Sequence, residues 1–282
     1  MPATTSLAEL RSRLSLPPPP PAAERAALDF PLRVPEEMLA RIAVGEPDDP
    51  VLRQVEVRPE ESQTAPAFVA DPVDDLGAEA APGVIHKYRG RALLVVTGAC
   101  PVHCRYCFRR HFPYAEHSLT GDRLEAALDY LRRETTLREV ILSGGDPLSL
   151  ADERLAEIAE RLAAIDHIER LRVHTRYPIA VPSRVGADLV AWLVGTRLSP
   201  VVVVHANHPN ELDAATEAAL RRLADAGIPL LNQAVLLRGV NDSAAGRAAP
   251  PQPPIPGPGG PHKHKHQHPR AGAPPQHGRG AQ

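Results

Sequence analysis

The sequence predicts an α/β fold built on a parallel sheet, either a partial (β/α) barrel or a doubly wound layer. Two observations carry this. Short apolar runs alternate with amphipathic segments through the middle of the 282-residue chain, and a polar or glycine-rich cluster follows each run. Ligands of parallel α/β folds gather at the carboxyl ends of the strands, so these clusters point to one shared site.

Residues 92–97, 138–144, 170–175, 200–206 and 229–236 read as short buried strands. Amphipathic residues 121–134 follow Thr120, a suitable cap. Residues 150–165 follow Ser149 and carry Asp152 and Glu153 in the first turn, where acidic groups favour a helix start. Residues 183–195 fill the next gap. Residues 211–227 follow Asn210 as cap and end on Gly227 as stop.

The flanks differ from this core, assigned to residues 84–243. Residues 1–83 read as an N-terminal helical extension in which five prolines, 17–21, form an extended polyproline spacer. Residues 244–282 are dominated by Pro, Gly, His and Ala, with Ile255 as the only large apolar residue, so this tail is predicted to be disordered. The change of composition after Ser243 predicts a truncated or frame-shifted C-terminus.

A net charge of −2 gives no general attraction to nucleic acid or an anionic membrane. The first residues lack a secretory apolar segment, and the valine run 201–204 is far short of the ~20 residues that span a bilayer. A cytoplasmic location is expected.

All three cysteines, Cys100, Cys104 and Cys107, fall in "CPVHCRYC" after the first core strand. An odd, local set argues against a disulfide framework. Spacings of four and three let the thiolates converge on a soft metal centre. One alternative is structural zinc, completed by His103 or His111. Another is an iron–sulfur cluster with one iron left without a protein ligand, since four cysteines are the usual set. The plain alternative is three packing cysteines.

"CPVHCRYC" resembles the CxxxCxxC motif of radical S-adenosylmethionine (SAM) enzymes, and Gly144, Gly145 and Asp146 resemble that family's second signature after the second strand. "ILSGGDPL", "HTRYP", "HANHPNE" and "NQAVLLRGVND" extend the likeness to the lysine 2,3-aminomutase group, from about Phe30 to Asp242. Within it, "EPDDPVLRQV" and "CFRRHFPY" most resemble the branch making (R)-β-lysine for elongation factor P.

The resemblance implies a partial barrel of the radical SAM type with about five of six strands present. It implies a [4Fe–4S] cluster on Cys100, Cys104 and Cys107, and SAM contacts from Gly144, Gly145, Asp146, His205 and Gln233. It further implies pyridoxal 5′-phosphate (PLP) held through its phosphate by Arg91, and the carboxylate of substrate L-lysine bound by Arg109. The electron donor would be of flavodoxin or ferredoxin type. The family's PLP-holding lysine has no counterpart: Lys87 precedes the first core strand, and Lys263 and Lys265 lie in the tail. No catalytic residue is therefore assignable, and a chain that only cleaves SAM is the alternative.

Overall fold

Residues 2–63 and 69–243 are described by the structure, a computed structural model. The tail predicted to be disordered, with Lys263 and Lys265, lies outside the described residues.

The chain opens with β1 (Ala3–Thr4), α1 (Leu7–Arg13), α2 (Pro21–Asp29), β2 (Val34–Pro35) and α3 (Glu36–Leu39). Prolines 17–20 form the extended spacer, whereas Pro21 begins α2. Proline at a first helical position loses no hydrogen bond, and its fixed φ suits the helix. β1 and β2 pair antiparallel as a separate two-stranded sheet.

The main sheet has seven strands in chain order: β3 (Glu79–Ala81), β4 (Val84–Tyr88), β5 (Arg91–Thr97), β6 (Glu139–Gly144), β7 (Arg170–Thr175), β8 (Ser199–Val204) and β9 (Leu230–Asn232). The five from β5 to β9 are parallel, as expected for the partial barrel. β3 and β4 are antiparallel additions at one edge, so the sheet begins at Glu79, inside the segment read from sequence as extension.

Alternation along the strands assigns the two faces. Ala92, Leu94, Val96, Val140, Leu142, Leu171, Val173, Val202 and Val204 are buried. Their helical partners are α5 (Asp122–Arg133), α6 (Asp152–Ala163), α8 (Ala187–Val194) and α9 (Ala214–Asp225), preceded by the short α4 (Tyr114–His117) and α7 (Tyr177–Ala180). Leu124, Leu128, Leu155, Ile158, Leu189 and Leu223 bury the facing stripes. The same core cluster takes in Leu10, Met38 and Leu52, so the extension packs with the sheet rather than beside it.

Three predicted caps differ. α5 starts from Gly121 at φ +50°, a left-handed conformation that glycine tolerates and Thr120 would resist. α6 starts from Ala151, because Pro147–Ser149 makes its own 3₁₀ turn capped by Asp146. α9 is capped by Asp213, which accepts from Thr216 N at 2.8 Å, while Asn210 sits inside an earlier turn. Gly227 stops the helix at φ +77°, as predicted. The last strand is shorter than residues 229–236, because Val235 N donates to Asn207 Oδ1 at 2.8 Å rather than to a ladder.

Candidate functional site

The loop after β5 and the turn after β6 are laced together. Gly145 N donates to Thr97 O at 2.7 Å and Asp146 N to Ala99 O at 2.8 Å. Ser149 Oγ donates to the same Ala99 carbonyl at 3.1 Å. Such close approach excludes side chains: a Cβ on Gly145 would lie 2.4 Å from Ala99 O, and one on Gly144 2.5 Å from Thr97 O. Gly144 also holds φ +121°, which glycine alone adopts readily.

Asp146 completes the turn. Its buried carboxylate accepts from Thr175 Oγ1 at 2.7 Å, Arg176 N at 2.7 Å and Leu148 N at 3.1 Å. Burial pushes its pKa up to about 6, against these donors, which pull it down. The Gly-Gly-acid turn thus ties three successive strand ends together, a structural task beside the SAM contact its motif implies.

The cysteine loop emerges from that junction, with Cys107 N donating to Cys104 O at 3.0 Å. All three thiols are free and half-buried. Burial pushes the Cys100 thiol up, with Asp146 and the neighbouring thiols adding to it. Burial and Cys104 do the same for Cys107. The extension braces the loop from outside. Arg105 donates Nε to Glu61 Oε1 at 2.9 Å, Arg110 Nη2 reaches Glu61 Oε2 at 3.1 Å, and the Phe30 ring lies under both guanidinium groups.

Behind Cys104 lies a polar network that sequence reasoning missed. Arg176 is buried and donates Nη1 to Cys104 Sγ at 2.8 Å and to the Tyr106 hydroxyl. Its Nη2 donates to Gln54 Oε1 at 2.8 Å and Glu211 Oε2 at 2.9 Å. Asn207 Nδ2 donates to Gln54 Oε1 at 2.8 Å and to Tyr106 at 2.7 Å. These residues sit within "HTRYP", "HANHPNE" and "EPDDPVLRQV", but no spacing rule brings the three segments together.

The sheet face opposite the helices carries the other expected residues. Arg109 donates Nε to Asp75 Oδ2 at 2.7 Å and Nη1 to Ser143 Oγ at 3.2 Å. Asp75 is buried, and its other oxygen accepts from Lys87 Nζ at 2.5 Å. Lys87, which from sequence merely precedes the first core strand, thus shares a carboxylate with Arg109. His174 and His205 pack edge to face at 6.2 Å, each with a buried Nε2 that has no partner. Burial lowers His174 to about 3 and His205 to about 4, so both are neutral near pH 7.

Arg91 stands apart from the cysteines. It begins β5 and lies 3.5 Å from Glu139, a buried carboxylate that Arg172 also grips at 2.6 Å. The seven-residue strand sets Arg91 roughly 20 Å from Thr97 at the cysteine end. Gln233 lies one residue past β9 with an exposed side chain, anchored through its N–H to Val204 O at 2.9 Å. His208 caps a turn by accepting from Asn210 N at 3.2 Å.

The two histidines of the zinc alternative are placed differently. His103 Nδ1 is engaged with Pro31 O at 2.8 Å and its ring stacks on Phe30, while His111 is exposed. Among the described residues no group of three or more His, Cys, Asp or Glu is gathered to hold a metal ion. A [4Fe–4S] cluster fits the donor set, because it needs thiolates on separate irons rather than around one ion. Its positive iron would offset the burial and like charge that push up the Cys100 and Cys107 thiols. The unpartnered His174 and His205 Nε2 atoms leave polar capacity nearby for further ligands.

Residues 94–185, from mid-β5 through the cysteine loop and Asp146 to the start of the segment before α8, match the family model of the Radical SAM superfamily. These residues are a Radical SAM domain. The chain is 45% identical over 215 residues to an L-lysine 2,3-aminomutase of Haemophilus influenzae, covering 76% of itself and 64% of that relative. It is 46% identical over 215 residues to one of Escherichia coli K12, covering 76% and 63%. With the L-lysine 2,3-aminomutase of Clostridium subterminale it shares 40% over 206 residues, covering 72% and 49%. The chain spans less than two thirds of the length of these relatives. Among the described residues no helix is long and apolar enough to cross a membrane.

Proposed function

We propose that this protein is a radical SAM aminomutase that moves the amino group of L-lysine from the α to the β carbon. One observation carries the reading: a three-cysteine loop fastened to a Gly-Gly-Asp turn at the carboxyl edge of a parallel sheet, in a chain 43–46% identical to three L-lysine 2,3-aminomutases. A cluster bound there supplies the electron for reductive cleavage of SAM, delivered by a flavodoxin- or ferredoxin-type donor. The chain's own residues hold and orient. Arg109, fixed by Asp75 and Ser143, presents its remaining guanidinium donors to the lysine carboxylate. Arg91, at the far end of β5, offers a fork to the PLP phosphate. His205 and Gln233 flank the SAM position, and the (R)-β-lysine product goes to elongation factor P.

The test is anaerobic reconstitution with iron and sulfide, followed by reduction with SAM and L-lysine. Expected are a brown protein with four irons per chain as the cluster composition requires and formation of 5′-deoxyadenosine. Cys100→Ala, Cys104→Ala and Cys107→Ala should each lose the cluster, since two thiolates cannot hold it with one iron open. A wild-type protein with full iron that leaves SAM intact would sink the reading.

A further inference from the structure

We infer that Arg176 is a positioning residue that, through Cys104, sets the reduction potential of the cysteine-held centre, with Glu211 as its counterweight. The inference rests on the cluster reading above. Arg176 touches sulfur itself: Nη1 to Cys104 Sγ is 2.8 Å.

The neighbouring carboxylate is not free to take that place. Glu211 is fully buried, and Oε1 accepts from Gln54 Nε2 at 3.0 Å, Asn207 N at 2.7 Å and His208 N at 2.8 Å. Its Oε2 takes Arg176 Nη2 at 2.9 Å. The result is an ordered series of thiol, guanidinium and carboxylate, held at both ends. A pair serving packing alone needs no contact with sulfur. Here the cation faces the metal-binding group and the anion sits behind it.

The electrostatic consequence has a sign. Reduction adds negative charge to the cluster, and hydrogen bonds to its sulfurs together with net local charge are what set its potential. A donor and a positive charge at Cys104 stabilise the reduced form and raise the potential; the Glu211 carboxylate opposes this. Burial of both groups keeps water from screening either effect.

The experiment compares reconstituted wild type, Arg176→Lys and Glu211→Gln by iron content and by EPR-monitored redox titration. Lysine keeps a charge but loses the fork that serves sulfur and carboxylate together, so its midpoint potential should fall. Glutamine removes the opposing charge, so its midpoint should rise. A merely structural pair would change stability in both variants without moving potentials in opposite directions. Wild-type potentials in fully loaded variants, or shifts of the same sign, would overturn the inference. If Arg176→Lys fails to fold or load, Glu211→Gln decides alone, with a rise in support and no rise against. A wild type that binds no cluster overturns the cluster reading and this inference with it; a loaded wild type with unmoved variants overturns this one only.

Discussion

At the scale of single residues, the site depends on what is missing from glycine. Gly145 lets the turn after β6 press against backbone, not side chain: an added Cβ meets Ala99 O at 2.4 Å and the Gly98 carbonyl carbon at 2.7 Å. Backbone atoms cannot swing aside as a long side chain would. Gly145→Ala should therefore cost about 1–3 kcal/mol by the usual penalty for overpacking. The same substitution should lower iron uptake, because the displaced strand end carries the cysteine loop. Urea denaturation and iron assay check both, and wild-type values in each would show that the loop yields freely.

At the scale of elements, residues 98–113 contain no helix or strand, so their shape comes from what surrounds them. Glu61 is the principal outside brace. It receives Arg105 through two nitrogens and Arg110 through a third contact, and the Arg105 side chain is only 6% exposed. Glu61→Ala would leave a buried guanidinium without its carboxylate, a change that typically costs about 3–5 kcal/mol when the pair is well buried. The expected outcome is a destabilised loop: faster hydrogen exchange across residues 100–110 and faster loss of iron to a chelator. Unchanged exchange there would mean that Phe30 and the backbone suffice.

At the scale of the whole molecule, three buried groups on one site set an acid limit. Folding lowers His174 from 6.5 to about 3 and His205 from 6.5 to about 4, and raises Asp146 from 3.8 to about 6. Each histidine contributes stability that is lost as pH falls below the unfolded value. Asp146 works in the opposite sense, its contribution being lost as pH rises through 6. Between pH 4 and 6 these three groups hold two histidine protons in the unfolded chain and one aspartic proton in the folded chain. Together they should make stability fall on acidification by about 1.4 kcal/mol per pH unit. His174→Gln removes one of the unfolded-state protons and should lessen the slope by about that amount. Denaturation curves across that window decide it, and an unaltered slope in the variant would show that other groups control the acid limit.

The sequence by itself determined the parallel strands, the helical faces and the gathering of Cys100, Cys104 and Cys107 in one loop after the first core strand. These are local properties: apolar periodicity, short spacing and residue type are all written within a few positions of each other. It did not show β3 and β4, whose "EAA" and "VIHKY" carry no alternation strong enough to mark an edge hairpin. Nor did it reveal that Lys87 and Arg109 share Asp75, or that Arg176 reaches Cys104 while Gln54 and Glu211 both hold its other terminal nitrogen. The pairings of Arg176 with Cys104 and Gln54 join residues 72 and 122 positions apart. Only the tertiary structure decides them, because a buried charge takes its partner from whichever strand end the packing of the sheet brings within hydrogen-bond reach.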